Sequence, residues 1–570
     1  MYGEPALPPD FVSLPYANPD APKGGQIVTG EAGSFDSLNP FIVKGSPPAG
    51  MAALTVETLM GRSWDEPFTL YGLLAESIET DPGRTWVEFT LREGARFSNG
   101  HPVTPEDVIW SFEKLGTEGA VRYAAAYKAV EKAEQTGPRS VRFTFREVNR
   151  ELPLLLGLRP VLEKASWEGR DFAASSMEPV IGSGPYVVAD VKPGRSITYR
   201  KNPDWWGKDL PFNRGLWNFD EIRYEYFGDA LVLTEAFKAG ELMSYRETNP
   251  AKWAANYDFP RVQSGEVIKA EIPHSRPSGI EGLAFNTRKP LFADWRVREA
   301  LTLAFNYELV NATLNAGALP RITSWYGNSA LAGDMEHPAT GAVLALLEPY
   351  RDSLLPGAVE GYALPPSDGT EANRKNLRAA TALMEEAGWT VQDGVLKNAA
   401  GEPFAFEILL QIGQDDVITA ASIYVEALKR LGIAAKITTV DSAQYKERTT
   451  AYDFDMTHYI RSLSLSPGTE QYLYFGAAAG KEPGSRNWPG IDSPAVDGLI
   501  GTALSVNTPE EFSHAVQALD RVLTSGRYVI PFGYSPVARL AYDKRLHYPA
   551  KLPVYGDYIG FQPDVWWYQE

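Results

Sequence analysis

The chain has 570 residues, 44% of them hydrophobic, with 54 Lys and Arg against 72 Asp and Glu and a formal charge of −18. No basic stripe is present to neutralise phosphates, which argues against a nucleic-acid partner, and the length predicts two or three domains, because single cores stop growing beyond roughly 250 to 300 residues. The absence of Cys removes disulfides, thiolate nucleophiles and Cys zinc sites together, and no apolar run approaches the roughly 20 residues that span a bilayer.

In chain order, the start MYGEPALPPDFVSLPYANPDAPKGG carries no charged segment followed by an apolar one; it fits the beginning of a mature exported chain and, taken alone, leaves a cytoplasmic protein open. Alternating apolar and polar residues predict strands at Trp86–Leu91, Val141–Phe145, Ile197–Tyr199, Glu221–Tyr226, Phe404–Leu409 and Ala435–Val440. Helices are announced by their ends. Thr104 can cap, Pro105 fits the first helical position, and Glu106 and Asp107 sit where the helix dipole favours carboxylates. Asp294 precedes one long helical pattern, WRVREALTLAFNYELVNATLNAG, that stops near Gly317. A further helix runs from Asp415 towards Gly432, and Thr508 opens another. Strands and helices alternate throughout, so the fold class is α/β.

The stretch FTLREGARFSNGHPVTPEDVIWSFEKL combines three of these features. Val87, Phe89 and Leu91 share one strand face, Asn99-Gly100 turns the chain, and Val108, Ile109, Phe112 and Leu115 follow core spacing on a helix. Arg92, Glu93, Arg96 and His101 read as solvated turn residues rather than a site.

Signatures of catalysis fail one by one. The six His residues are too dispersed for an H-E-x-x-H metal motif. No G-x-S-x-G elbow occurs, and GSGPY lacks the spacing of a dinucleotide fingerprint. The phosphate-loop lookalike Gly476–Lys481 is one residue short and reads as a surface turn. Acidic pairs such as Asp453/Asp455 and Asp415/Asp416 leave a glycosidase open in principle without supporting it. What accumulates instead is aromatic surface, 12% of the chain. Most of it reads as core, and some as walls for an organic ligand.

Residues 74 to 115, LAESIETDPGRTWVEFTLREGARFSNGHPVTPEDVIWSFEKL, resemble the large extracellular solute-binding proteins of peptide-importing ABC transporters. IGSGPYVV, RKNPDWWG, FDEIRYEYF, AFNTRKPLFADWRVREALTLAFNYELV, NLRAATALMEEAGW and VIPFGYSPVARLAY follow in that family's order, so the resemblance covers nearly the whole chain. GSFDSLNPF, DEPFTLYGLLAES, RSLSLSPGTEQYLYFG and YGDYIGFQPDVWWYQE look like its YejA-like branch, associated with peptides, peptidoglycan fragments and microcin C-like peptide antibiotics.

The resemblance implies a two-lobed periplasmic-binding-protein fold with an extra α/β domain in the first lobe. On that plan lobe one comprises residues 1–48, 180–280 and 534–570, the extra domain 49–179, and lobe two 281–533. It further implies a periplasmic monomer that needs no cofactor, closes on a peptide or peptide-like ligand and engages an inner-membrane permease. A binder of sugars or opines on the same scaffold, and a peptide or glycan hydrolase, are the alternatives; the lack of clustered His argues against nickel complexes.

Candidate ligand-binding residues follow from the same resemblance. Arg461 stands where peptide-binding relatives often place a carboxylate for the ligand's amine, with Glu470 farther on. A guanidinium there suits a ligand carboxylate, the plainer reading being an ion pair. Ser464 and Ser466 can hold acceptors or simply form turns. Trp488 and Tyr326 lie in loops as candidate walls, and Phe35, Asn39 and Trp64 fall in regions that often line the first lobe's side, although Asn39-Pro40 equally reads as a turn.

Overall fold

The computed structural model describes residues 2–570. The chain divides into two units: residues 1–248, 256–274 and 537–570 form unit 1, and residues 249–255 and 275–536 form unit 2. No helix among the described residues is long and apolar enough to cross a membrane.

Unit 1 is organised by a seven-stranded sheet, in the order Val267–Pro273, Val537–Asp543, Ser244–Glu247, Gln26–Ala32, Glu221–Phe227, Ser196–Lys201 and Tyr186–Lys192. Gln26–Ala32 pairs in parallel with both of its neighbours, and the outer pairings are antiparallel. The parallel pairing with Glu221–Phe227 needs a crossover connection. A four-stranded antiparallel sheet lies inside that connection, in the order Ala75–Thr80, Trp86–Leu91, Ser140–Phe145 and Val130–Gln135. Its inward residues Val87, Phe89, Leu91, Val141, Phe143 and Phe145 meet Val108 and Phe112 of helix Pro105–Thr117 in one core.

The start of that helix is fixed reciprocally: Thr104 Oγ1 accepts from Asp107 N at 3.2 Å while the Asp107 carboxylate accepts from Thr104 N at 3.0 Å. Such a capping box satisfies two otherwise orphaned amides. Two residues expected as solvated are instead tied down. Arg92 Nε donates to Leu73 O at 2.8 Å, and His101 Nδ1 lies 2.6 Å from the buried Glu163 carboxylate.

Unit 2 is built on a five-stranded sheet ordered Ala434–Val440, Ala405–Gln411, Met456–Arg461, Ile280–Phe285 and Val529–Pro531. Its core joins Leu283, Phe285, Ile408, Leu410 and Met456 of the strands to Val297, Leu301, Tyr424 and Leu428 of the helices packed on them. The helical pattern after Asp294 is not one helix. It forms Trp295–Ala304 and Tyr307–Asn315, interrupted where Phe305 turns extended and Asn306 caps the second piece by accepting from Leu309 N at 3.1 Å. Helical spacing alone cannot show such a break, because both pieces keep an apolar face and the Asn side chain offers the backbone an alternative partner.

Candidate functional site

Arg461 ends strand Met456–Arg461, paired with Ile280 across the ladder. The chain passes so close at Gly279, whose φ is +66°, that a Cβ there would stand 2.3 Å from Arg461 O. Only glycine combines that backbone conformation with that approach. The half-buried guanidinium is enclosed by rings: its carbon is 4.7 Å from the centre of Tyr459, 5.6 Å from Tyr474 and 5.7 Å from Trp488. Nη1 donates to Ile460 O at 2.8 Å, whereas the buried Nε has no hydrogen-bond partner. Among the described residues no carboxylate lies within ion-pair distance of Arg461, although 26 other contacts of that kind are present.

The aromatic walls are themselves anchored. Tyr459 is fully buried and donates to Arg486 O at 3.1 Å; burial pushes its phenol up to about 12, against the lowering field of Arg461. Trp488 packs against Tyr445, Phe454 and Tyr459. Its backbone is held by Arg288, which donates to Trp488 O at 2.9 Å, Asn487 O at 2.7 Å and Gly480 O through both Nε and Nη2. The same contacts turn the Gly480 carbonyl towards a cation, an orientation opposite to that of a phosphate-cradling loop. Asn487 completes the turn by accepting from Ile491 N at 2.8 Å.

The remaining sequence candidates in unit 2 divide. Ser464 Oγ accepts from Ser466 N at 3.2 Å, a local turn that leaves both residues half-buried in the segment following Arg461. Glu470 does not stand free as an anion. Both of its oxygens accept from Gly468 N at 3.0 Å, and Gln471 Nε2 donates to it at 2.9 Å. Tyr326 is not a wall: it is fully buried and donates to Gln471 Oε1 at 2.7 Å. Beneath it, buried Asp520 accepts from the amides of Trp325, Tyr326 and Gly333, while desolvation raises its pKa to about 6.

In unit 1, Trp64 is half-buried and lies stacked on Tyr558, with ring centres 4.3 Å apart and planes at 19°, and edge-on to Tyr555 at 5.2 Å. Its backbone amide donates to Tyr16 Oη at 3.1 Å. Phe35 and Asn39 serve packing instead. Phe35 is buried against Tyr226, and buried Asn39 donates to Phe172 O at 2.9 Å while accepting from Phe41 N. Their candidacy rested on position along the chain, which carries no information on which side chains the local turn consumes. Tyr459, Tyr474 and Arg288 were missed; the alternation that places Tyr459 and Arg461 on one strand face was the available signal for the first.

Arg461 thus stands among three rings, with no carboxylate of the described residues within ion-pair distance. Residues 69–482 match the model for bacterial extracellular solute-binding proteins, family 5, and the chain belongs to that family. Over 586 residues it is 39% identical to the peptidoglycan-binding protein YepA of Agrobacterium fabrum, covering all of this chain and 94% of that one. The probable peptide-binding protein YejA of the same organism is 40% identical, with 99% of this chain and 92% of the other covered. Among solved structures, the oligopeptide-binding protein AppA of Bacillus subtilis in complex with a nonapeptide superposes with a TM-score of 0.70, at 19% identity and 97% coverage of this chain and 100% of that one. The fold is the two-lobed one of family 5.

Proposed function

We propose that this protein captures peptides or peptide-like solutes, peptidoglycan stem fragments among them, as the periplasmic, monomeric binding component of an ABC importer, and delivers them to an inner-membrane permease. The observation that carries the reading is the guanidinium of Arg461, held among Tyr459, Tyr474 and Trp488 with no carboxylate of the described residues within ion-pair distance. Burying a cation without a counter-charge is unfavourable unless a ligand supplies it. A guanidinium supplies the two parallel donors that a carboxylate accepts. Peptides carry such a group at one end, and peptidoglycan stems carry several. The peptidoglycan-binding and peptide-binding names of the two Agrobacterium relatives support the same solute class.

Binding, not bond cleavage, is the activity on this reading. Family membership supports it, as does the reach of the resemblance along nearly the whole chain. Residues 49–179 are best read as a domain added to the binding scaffold, supported by their own four-stranded sheet and core. Native mass spectrometry of the purified protein tests the reading: a retained peptide or muropeptide mass, displaced stoichiometrically by added stem peptide, is expected. Accumulation of cleaved product during incubation, or retention of a sugar in place of a peptide, overturns it.

A further inference from the structure

A cavity of about 350 Å³ opens on unit 2 at a distance from Arg461. Strand Ile280–Phe285 fixes its place. Ile280 pairs with Arg461 and Phe285 with Met456, so the strand's two ends are about 17 Å apart. The cavity lies at the Phe285 end, where Phe285 N donates to Tyr528 O at 3.0 Å and both Thr287 and Tyr528 belong to the lining. Arg298, Val522 and Tyr528 make a buried floor, 3%, 6% and 9% exposed. Leu354 and Leu355 are half-buried beside it, and Ser353, Asp492 and Pro494 stand exposed at the rim.

Most polar groups of this lining are already committed. Thr287 Oγ1 donates to the carbonyls of Pro489 and Gly490 at 2.8 Å, Ser353 Oγ donates to Tyr350 O at 2.9 Å, and Ser493 Oγ accepts from Val496 N at 3.4 Å. Arg298 spends four of the five N–H donors of a guanidinium. Nε and Nη2 donate to Gly526 O at 3.2 and 2.9 Å, and Nη1 donates to Phe292 O and Ala293 O at 2.7 and 2.9 Å. One Nη2 hydrogen remains. The Tyr528 hydroxyl has no hydrogen-bond partner among the described residues, and burial raises its pKa, so it stays protonated and able to donate. Its ring centre lies 5.5 Å from the Arg298 guanidinium carbon.

The local charges leave Arg298 uncompensated. No carboxylate among the described residues lies within ion-pair distance of it. The neighbouring charges are matched elsewhere: Asp294 with Arg296 at 2.6 Å, Arg527 with Glu299 at 2.6 Å, and Asp492 with Lys481 at 3.3 Å, the last an exposed pair at the rim. Helix Pro494–Ser505 also begins at the rim and presents its positive dipole end there.

We propose that this cavity binds a small organic monocarboxylate, whose oxygens accept from the Tyr528 hydroxyl and the remaining Arg298 Nη2 hydrogen and whose apolar body lies against Leu354, Leu355 and Val522. Two unspent donors beside a buried cation match the two oxygens of one carboxylate. An ammonium brings like charge to Arg298 and no acceptor for either donor. A neutral amide accepts through one oxygen and leaves the cation without a counter-charge. The apolar residues add non-directional attraction for a short chain. The site is separate from Arg461 and independent of the peptide reading.

The test follows the methyl resonances of Leu354, Leu355 and Val522 in the full chain by NMR as hexanoate, hexanamide or hexylamine is added. The three probes share one tail and differ in charge, and the methyls report on this cavity rather than on Arg461. Hexanoate is expected to shift them saturably, with a dissociation constant on the order of 1 mM or below. It should bind at least about tenfold more tightly than either other probe. Tyr528→Phe, which removes the hydroxyl and keeps the ring, weakens hexanoate about tenfold. Ser353→Trp, at the exposed rim, fills the mouth and abolishes the shifts. The proposal is overturned if no methyl shifts saturably, if hexanamide or hexylamine binds as tightly as hexanoate, if Tyr528→Phe leaves the hexanoate affinity unchanged, or if the shifts persist in Ser353→Trp. Should Tyr528→Phe fail to fold, the comparison of the three probes on the wild type decides.

Discussion

Tyr459 and Arg461 point to the same side of strand Met456–Arg461, and the guanidinium carbon of the second lies 4.7 Å from the ring centre of the first. Residues two apart on a strand share a face, so the pairing is set by the strand itself, and Tyr474 and Trp488 complete the enclosure from later loops. The result is a half-buried cation with no carboxylate of the described residues within ion-pair distance.

Replacing Arg461 should therefore discriminate between ligand end groups. Arg461→Ala is expected to weaken a peptide with a free carboxyl terminus by at least about tenfold, equivalent to about 1.4 kcal/mol, and its amidated analogue much less. Calorimetric titration of the four combinations checks this. Equal losses for acid and amide assign Arg461 to structure, and no loss removes it from the site.

The loop that carries Trp488 depends on one side chain. Arg288 donates to three backbone carbonyls and stacks on Tyr452 at 3.8 Å. Arg288→Ala leaves those carbonyls short of a donor and should destabilise the protein by about 2 to 4 kcal/mol. Arg288→Lys should recover less than half, because an ammonium cannot reproduce the planar fork. Urea unfolding of the three proteins measures the difference; a fully stable Arg288→Lys would show that charge, not geometry, holds the loop.

Gly279→Ala probes the backbone under the site. The positive φ of +66° and the 2.3 Å approach to Arg461 O act together, and the substitution is expected to cost about 1 to 3 kcal/mol. Because the displaced atom belongs to Arg461, affinity for the free-acid peptide should fall alongside the melting temperature. Unchanged affinity with lowered stability would separate the strand from the site.

Asp520 makes a pH-dependent contribution whose sign is opposite to that of a salt-bridged carboxylate. Burial raises its pKa from 3.8 to about 6 in the folded chain, so the native state holds the proton more tightly than the unfolded one. Its contribution is complete below about pH 4 and is lost as pH rises through 6. The stability gap between wild type and Asp520→Asn, measured by urea unfolding from pH 4 to pH 7, should therefore shift against the wild type by roughly 2 to 3 kcal/mol. A gap that grows in favour of the wild type instead would mean that the amides of Trp325, Tyr326 and Gly333 outweigh desolvation.

Much of the local architecture is legible from the residues. Trp86–Leu91 forms over the six positions where alternation places it, and Thr104 and Thr508 cap their helices as their spacing to Asp107 and Glu511 requires. Less legible was Gln26–Ala32, the centre of the large sheet, whose sequence QIVTGEA offers neither clean alternation nor a long apolar run. A strand paired on both edges takes its stability from its neighbours, and those lie far away in the chain.

The sequence by itself determined the α/β class, the ends of the capped helices, the family resemblance and the presence of Arg461 in a Ser-rich segment, because each depends on residues that are close along the chain. The tertiary structure alone decided which charges have partners. Asp543 and Asp557 are met by Arg261, Arg545 and Arg246, whereas Asp564 has no ion-pair partner among the described residues. Tyr326 and Trp488 are both loop aromatics, yet one hydroxyl is buried on Gln471 and the other ring stands beside Arg461. Pairing and burial depend on distances between segments that folding brings together, and electrostatic and desolvation energies change steeply over those few ångströms.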